Sequence, residues 1–96
     1  MTIKELLRER RTDIEKIAAK HGAFDIRVFG SVVRGQERGD SDIDLLVKTS
    51  EKTSPWFPGG LVADLEEMLG HSVEIVTENG INPLIREQVL KEATPL

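Results

Sequence analysis

Gly30-Ser31, a gap of ten residues, and then Asp42-Ile43-Asp44 make the most chemically suggestive stretch of this 96-residue chain. A triphosphate needs close approach to backbone, which favours glycine, and it gains from N–H donors at the start of a helix. Gly30-Ser31 lies between a strand-like run and a short helical one, so it offers both, together with a hydroxyl. Hard oxygen ligands suit magnesium. Asp42 and Asp44 share one side of a strand, roughly 6.6 Å apart along it. Carboxylates so placed can converge on a pair of magnesium ions roughly 3.5–4 Å apart, which clamps both the attacking and the leaving oxygen of a displacement.

A third acid is expected from a neighbouring strand. Glu74 is the candidate for a catalytic base or third metal ligand, because it opposes the face carrying Val73 and Ile75. Arg34 suits contact with phosphate and equally an ion pair with a nearby acid. Asp40, Asp42, Asp44 and Glu51 imitate a calcium loop, but the sixth position is Leu45 where that loop needs glycine. His21 reads as a helix-terminal residue. Trp56 and Phe57, in the breaker-rich run PWFPGG, read as a loop lid or partial core, and if exposed as a patch for a partner.

The elements that must position these residues follow from periodicity. Thr2 and Glu5 have the form of a capping box, and Ile3, Leu6, Leu7, Ile14, Ile17 and Ala18 form one helical stripe, so the pattern predicts a helix from 3 to 20, stopped by His21-Gly22. Residues 24 to 29 alternate as a strand, 31 to 34 begin a short helix, and 35 to 41 form a polar loop. A second strand spans 42 to 47, with Ile43, Leu45 and Val47 on one face and Asp42, Asp44 and Leu46 on the other. A helix over 61 to 69 ends at Gly70, a third strand covers 72 to 77, and Asn82-Pro83 starts a last helix ending near Lys91. The pattern is α/β: a small mixed sheet with flanking helices in the order α-β-α-β-α-β-α, forming a single domain over 1–96.

Composition narrows the function classes. The net charge of −4 and the absence of a basic stripe argue against generic nucleic-acid binding. Arg8, Arg10, Arg11 and Lys16 interleave with Glu5, Glu9, Asp13 and Glu15, as on a solvated helix face. The chain has no cysteine, so no disulfide or thiolate metal site is available. With no signal peptide and no membrane-length apolar run, a cytoplasmic protein without membrane contact is the expectation.

The run FGSVVRGQERGDSDIDLLV resembles the polymerase-β-type nucleotidyltransferases, and within them the minimal nucleotidyltransferase (MNT) proteins found as antitoxins beside HEPN toxins. The resemblance covers nearly the whole chain, with Arg34-Gly35 and Ser41 reinforcing it. It implies a polymerase-β-like fold in which Gly30 and Ser31 hold the triphosphate of ATP, Asp42 and Asp44 hold Mg2+, and Glu74 activates an acceptor, with Arg34 a further candidate for ATP binding and Glu74 for the third metal ligand. Glu74 is a departure, since many relatives carry aspartate there. The implied reaction moves AMP from ATP to a tyrosine hydroxyl of a HEPN toxin and releases pyrophosphate. Two alternatives stay open: a binding-only antitoxin with a relic nucleotide site, and a transferase for a small molecule or an RNA end.

Overall fold

The computed structural model describes residues 2–36 and 42–96. The part of the polar loop at 37–41, with Ser41, lies outside the described residues. Thr2 caps the first helix: its hydroxyl accepts the Glu5 N–H at 3.1 Å and donates to the Glu5 carboxylate. The stripe that follows is carried by two helices rather than one, α1 (Ile3–Glu9) and α2 (Arg11–Lys20). Arg10 joins them with φ −96° and ψ 9°. Its N–H still bonds Leu6 O at 2.9 Å, and its carbonyl accepts from Ile14 N at 2.9 Å, so apolar residues of both helices meet the same core.

A four-stranded sheet follows, built from β1 (Ala23–Phe29), β2 (Ile43–Thr49), β3 (Val73–Thr77) and β4 (Thr94–Pro95) in the order β3-β2-β1-β4. β1 runs antiparallel to β2 and β4, while β2 and β3 are parallel, joined through α3 (Gly59–Leu69). Such a parallel pair requires a crossover, which the helix supplies. β1 departs from simple alternation. Its pairing with β2 shifts between Phe24 and Arg27, and Asp25 lies there at φ 53°. This irregularity lets Ala23 and Ile26 both turn inward while Phe24 is left 51% exposed.

The helices α1, α2 and α3 cover one sheet face, burying Ile14, Ile43, Leu45, Val47, Leu61 and Leu65. On the other face, Leu46 packs with Ile81 and Val89, the latter on α4 (Arg86–Glu92). The split of β2 is therefore the expected one: Ile43, Leu45 and Val47 go to the main core, and Leu46 shares the opposite face with the acids. α4 begins later than Asn82-Pro83 suggested. Asn82 instead closes a turn, its Oδ1 accepting the Leu84 N–H at 2.9 Å and its carbonyl the Ile85 N–H at 3.0 Å. Arg86 donates to the Glu78 carbonyl at 2.6 Å and Arg27 to the Glu78 carboxylate at 2.6 Å. These bonds lock the 3₁₀ turn Glu78–Gly80 to β1 and to the start of α4.

The Trp56 loop sits at the far end of β2 from Asp42 and Asp44. Ser50 and Ser54 donate their N–H groups to Gly22 and His21 carbonyls, at 2.9 and 3.1 Å. His21 caps α2 and bridges two elements, with Nδ1 2.6 Å from the Ser54 hydroxyl and Nε2 2.7 Å from the Asp64 carboxylate. Phe57 packs on the core, while Trp56 is 90% exposed. Among the described residues no helix is long and apolar enough to cross a membrane.

Candidate functional site

β1 ends at Phe29, and Gly30 turns the chain into a 3₁₀ turn, Gly30–Val32, at φ 79°. That angle favours glycine, and so does the space. A Cβ on Gly30 would collide with the Asp44 carboxylate. Backbone and acid touch because the antiparallel register sets Phe29 opposite Asp44. The parallel register on the other side sets Asp44 opposite Glu74. One central residue is thus flanked by the phosphate-loop candidate on one strand and the third acid on the next. The Ile43 N–H donates to Ser72 O at 2.8 Å, which fixes the start of both strands.

The acids crowd one another. Asp44 has its pKa raised to about 6, first by burial, then by the hydrogen bond its protonated form donates to Glu74, then by the charges of Glu74 and Asp42, with Arg34 pulling the other way. Around Asp44 and Glu74 opens a groove of about 450 Å³, whose wall also includes Phe29, Gly30, Arg34 and Glu92. Its apolar side is formed by Val76, Ile81, Ile85 and Val89, with Asn82 and Gln88 among the lining residues. Ser31, on the 3₁₀ turn, and Asp42, exposed just before β2, adjoin the groove in sequence without forming its wall.

Arg34 is ion-paired in this structure: its Nη1 donates to Glu92 Oε1 at 2.8 Å and its Nε to the Gln36 side chain at 3.0 Å. The same Glu92 oxygen accepts the Gly30 N–H at 3.1 Å. Glu92 is the residue that sequence reasoning missed. It stands 62 positions from Gly30, and an acid at the end of an amphipathic helix carries no signal of such a contact.

Among the described residues no group of three or more His, Asp or Glu gathers closely enough to hold a metal ion. The donors nonetheless fit magnesium, which binds through one or two carboxylates and takes its remaining ligands from water and substrate phosphates. Asp44 is crowded by the charges of Glu74 and Asp42, a condition that a cation relieves.

The model of the family "Polymerase beta, Nucleotidyltransferase" matches residues 3–96. A Methanocaldococcus jannaschii protein whose name assigns it to the protein adenylyltransferases is 39% identical over 93 residues, covering 97% of this chain and 96% of the relative. A solved minimal nucleotidyltransferase superposes with a TM-score of 0.85 at 49% identity, covering 100% of this chain and 97% of that one. The fold also matches a chain in the complex of a tri-AMPylated Shewanella oneidensis HEPN toxin with MNT antitoxin, with a TM-score of 0.65 at 18% identity, covering 95% of this chain and 69% of that one. With Gly30 pressed on Asp44 and Asp44 in register with Glu74, the chain belongs to the polymerase beta nucleotidyltransferases, in their minimal form.

Proposed function

We propose that this chain is a magnesium-dependent protein adenylyltransferase that acts in the cytoplasm as an antitoxin, moving AMP from ATP to a tyrosine hydroxyl of a HEPN toxin. One observation supports the reading most: the register that sets Asp44 between Phe29-Gly30 and Glu74 on a groove large enough for a nucleotide. The name of the Methanocaldococcus jannaschii relative and the HEPN–MNT complex agree with it.

In this mechanism the Gly30 N–H, the Ser31 hydroxyl and Arg34 hold the triphosphate. Asp42 and Asp44 hold magnesium, with Glu74 beside them, and the ions supply charge neutralisation at the phosphates. The apolar wall of Val76, Ile81, Ile85 and Val89 receives the base. Glu74 takes the proton from the tyrosine hydroxyl as its oxygen bonds to the α-phosphorus, and the bond to pyrophosphate breaks. The acceptor arrives on a partner protein. Its contact surface centres on Ile85 (49% exposed), which lines the groove, and on its exposed neighbour Leu84 (92%), rather than on Trp56 at the opposite end of β2.

The test is mass spectrometry of a HEPN protein encoded beside this chain, after incubation with the chain, ATP and magnesium. The expected result is an added AMP on tyrosine, lost in Asp44→Ala. Neutralisation of the toxin with no mass change, undiminished in Asp44→Ala, would replace the enzyme with a binding-only antitoxin.

A further inference from the structure

The two donors best placed to receive a phosphate oxygen are engaged already. One carboxylate oxygen, Glu92 Oε1, accepts both the Gly30 N–H at 3.1 Å and Arg34 Nη1 at 2.8 Å. Gly30 is buried and the Glu92 side chain is 14% exposed, while Arg34 is 45% exposed, so the carboxylate is held at the groove's edge with its bond to Gly30 partly buried and its bond to Arg34 open to solvent. Arg34 is the only cationic residue on the groove wall, among the described residues. Asp44 and Glu74 line the same groove, so Glu92 brings a third carboxylate toward the space that a polyanion would enter. A carboxylate oxygen and a phosphate oxygen are the same kind of acceptor, anionic and suited to a backbone N–H and a guanidinium together. Both cannot hold these donors at once.

We propose that Glu92 is an internal stand-in for a phosphate group, and that a nucleoside triphosphate binds by displacing it from Gly30 and Arg34. This rests on the reading that phosphate docks at Gly30. The position of Glu92 permits the exchange. It is the last residue of α4, followed by Ala93 and the two-residue β4, so its side chain can swing out without disturbing the packing of Val89 on Leu46. With the carboxylate out, the groove gains a free cation and a free N–H. With it in, the groove repels the ligand. A competitor of this kind weakens observed affinity by the fraction of time the site stands open. A merely structural clamp between α4 and the 3₁₀ turn predicts the opposite: loss of Glu92 would loosen the loop and weaken binding.

The experiment titrates tripolyphosphate, ATP and adenosine into the wild-type chain, Glu92→Ala and Glu92→Gln in magnesium buffer. Calorimetry gives the affinities, and the Gly30 amide is followed by NMR. Tripolyphosphate and ATP are expected to bind Glu92→Ala about tenfold more tightly, as for a site open a tenth of the time, with adenosine unchanged. The Gly30 amide resonance of the free variant should already lie displaced from its wild-type position. Glu92→Gln, which keeps the shape and loses the charge, should tighten binding by a smaller factor, and it serves alone if the alanine variant does not fold. Equal or weaker polyanion affinity in the folded variants, with Gly30 still responding to tripolyphosphate, overturns the proposal and leaves the phosphate site standing. If tripolyphosphate binds the wild-type chain without moving the Gly30 amide, the phosphate site itself is wrong and the proposal falls with it.

Discussion

At the scale of single residues, Asp44 is where the site's conflict is concentrated. Its pKa in the folded chain is about 6 against an ordinary 3.8, so folding favours its protonated form. The contribution of this group to stability is therefore fully present below pH 3.8 and is lost as pH rises through about 6. Thermal melts in chelator should show Asp44→Asn gaining on the wild-type chain as pH rises from 4 to 7, with no gain at the acid end; a gain independent of pH would place the strain elsewhere. Glu74 is argued to move a proton rather than to hold ATP. Glu74→Gln should keep ATP affinity, measured by calorimetry, and lose about 10²- to 10⁴-fold in the rate of AMP transfer. Gly30 and Gly35 make a useful pair, since both lie at positive φ, 79° and 72°, but only Gly30 faces an obstacle. Alanine at Gly35 should cost about 1–3 kcal/mol from backbone strain alone. Gly30→Ala should cost more in urea unfolding, because its methyl group must also push Asp44 aside.

At the scale of elements, the parts that carry the acids were the legible ones. Ile43, Leu45 and Val47 alternate against Asp42, Asp44 and Leu46, and a period of two assigns faces without any knowledge of the neighbours. Glu74 followed from the same rule applied to Val73 and Ile75. The split at Arg10 was not legible, because no glycine or proline marks it and the apolar stripe runs through both helices. β4 escaped because two residues, one of them proline, hold too little pattern to be read as a strand. The irregularity at Asp25 escaped for a related reason: it is set by pairing with β2, and Phe24 looked apolar enough to face inward. Glu92 lay beyond reach because its partners are chosen by the docking of α4 on the sheet, a tertiary event.

At the scale of the whole molecule, a small sheet with helices on both faces sets limits on selectivity. The groove is closed on one side by apolar side chains, which bury a base without reading its edge. Competition binding with the isolated chain should show less than about tenfold preference among purine triphosphates, or roughly 1.4 kcal/mol. The placement of β2 has a consequence for how the molecule opens. It is paired on both sides, to β1 and β3, and Ile43, Leu45, Leu46 and Val47 are all completely buried. Its amides should therefore exchange with solvent deuterium only when the entire fold comes apart, whereas those of the turn at Gly30 and of α4 exchange through smaller, cheaper openings. Measured residue by residue, that contrast would describe a fixed floor at Asp44 beneath a wall that breathes, in which the donors and the carboxylate that blocks them move while the central acid stays still.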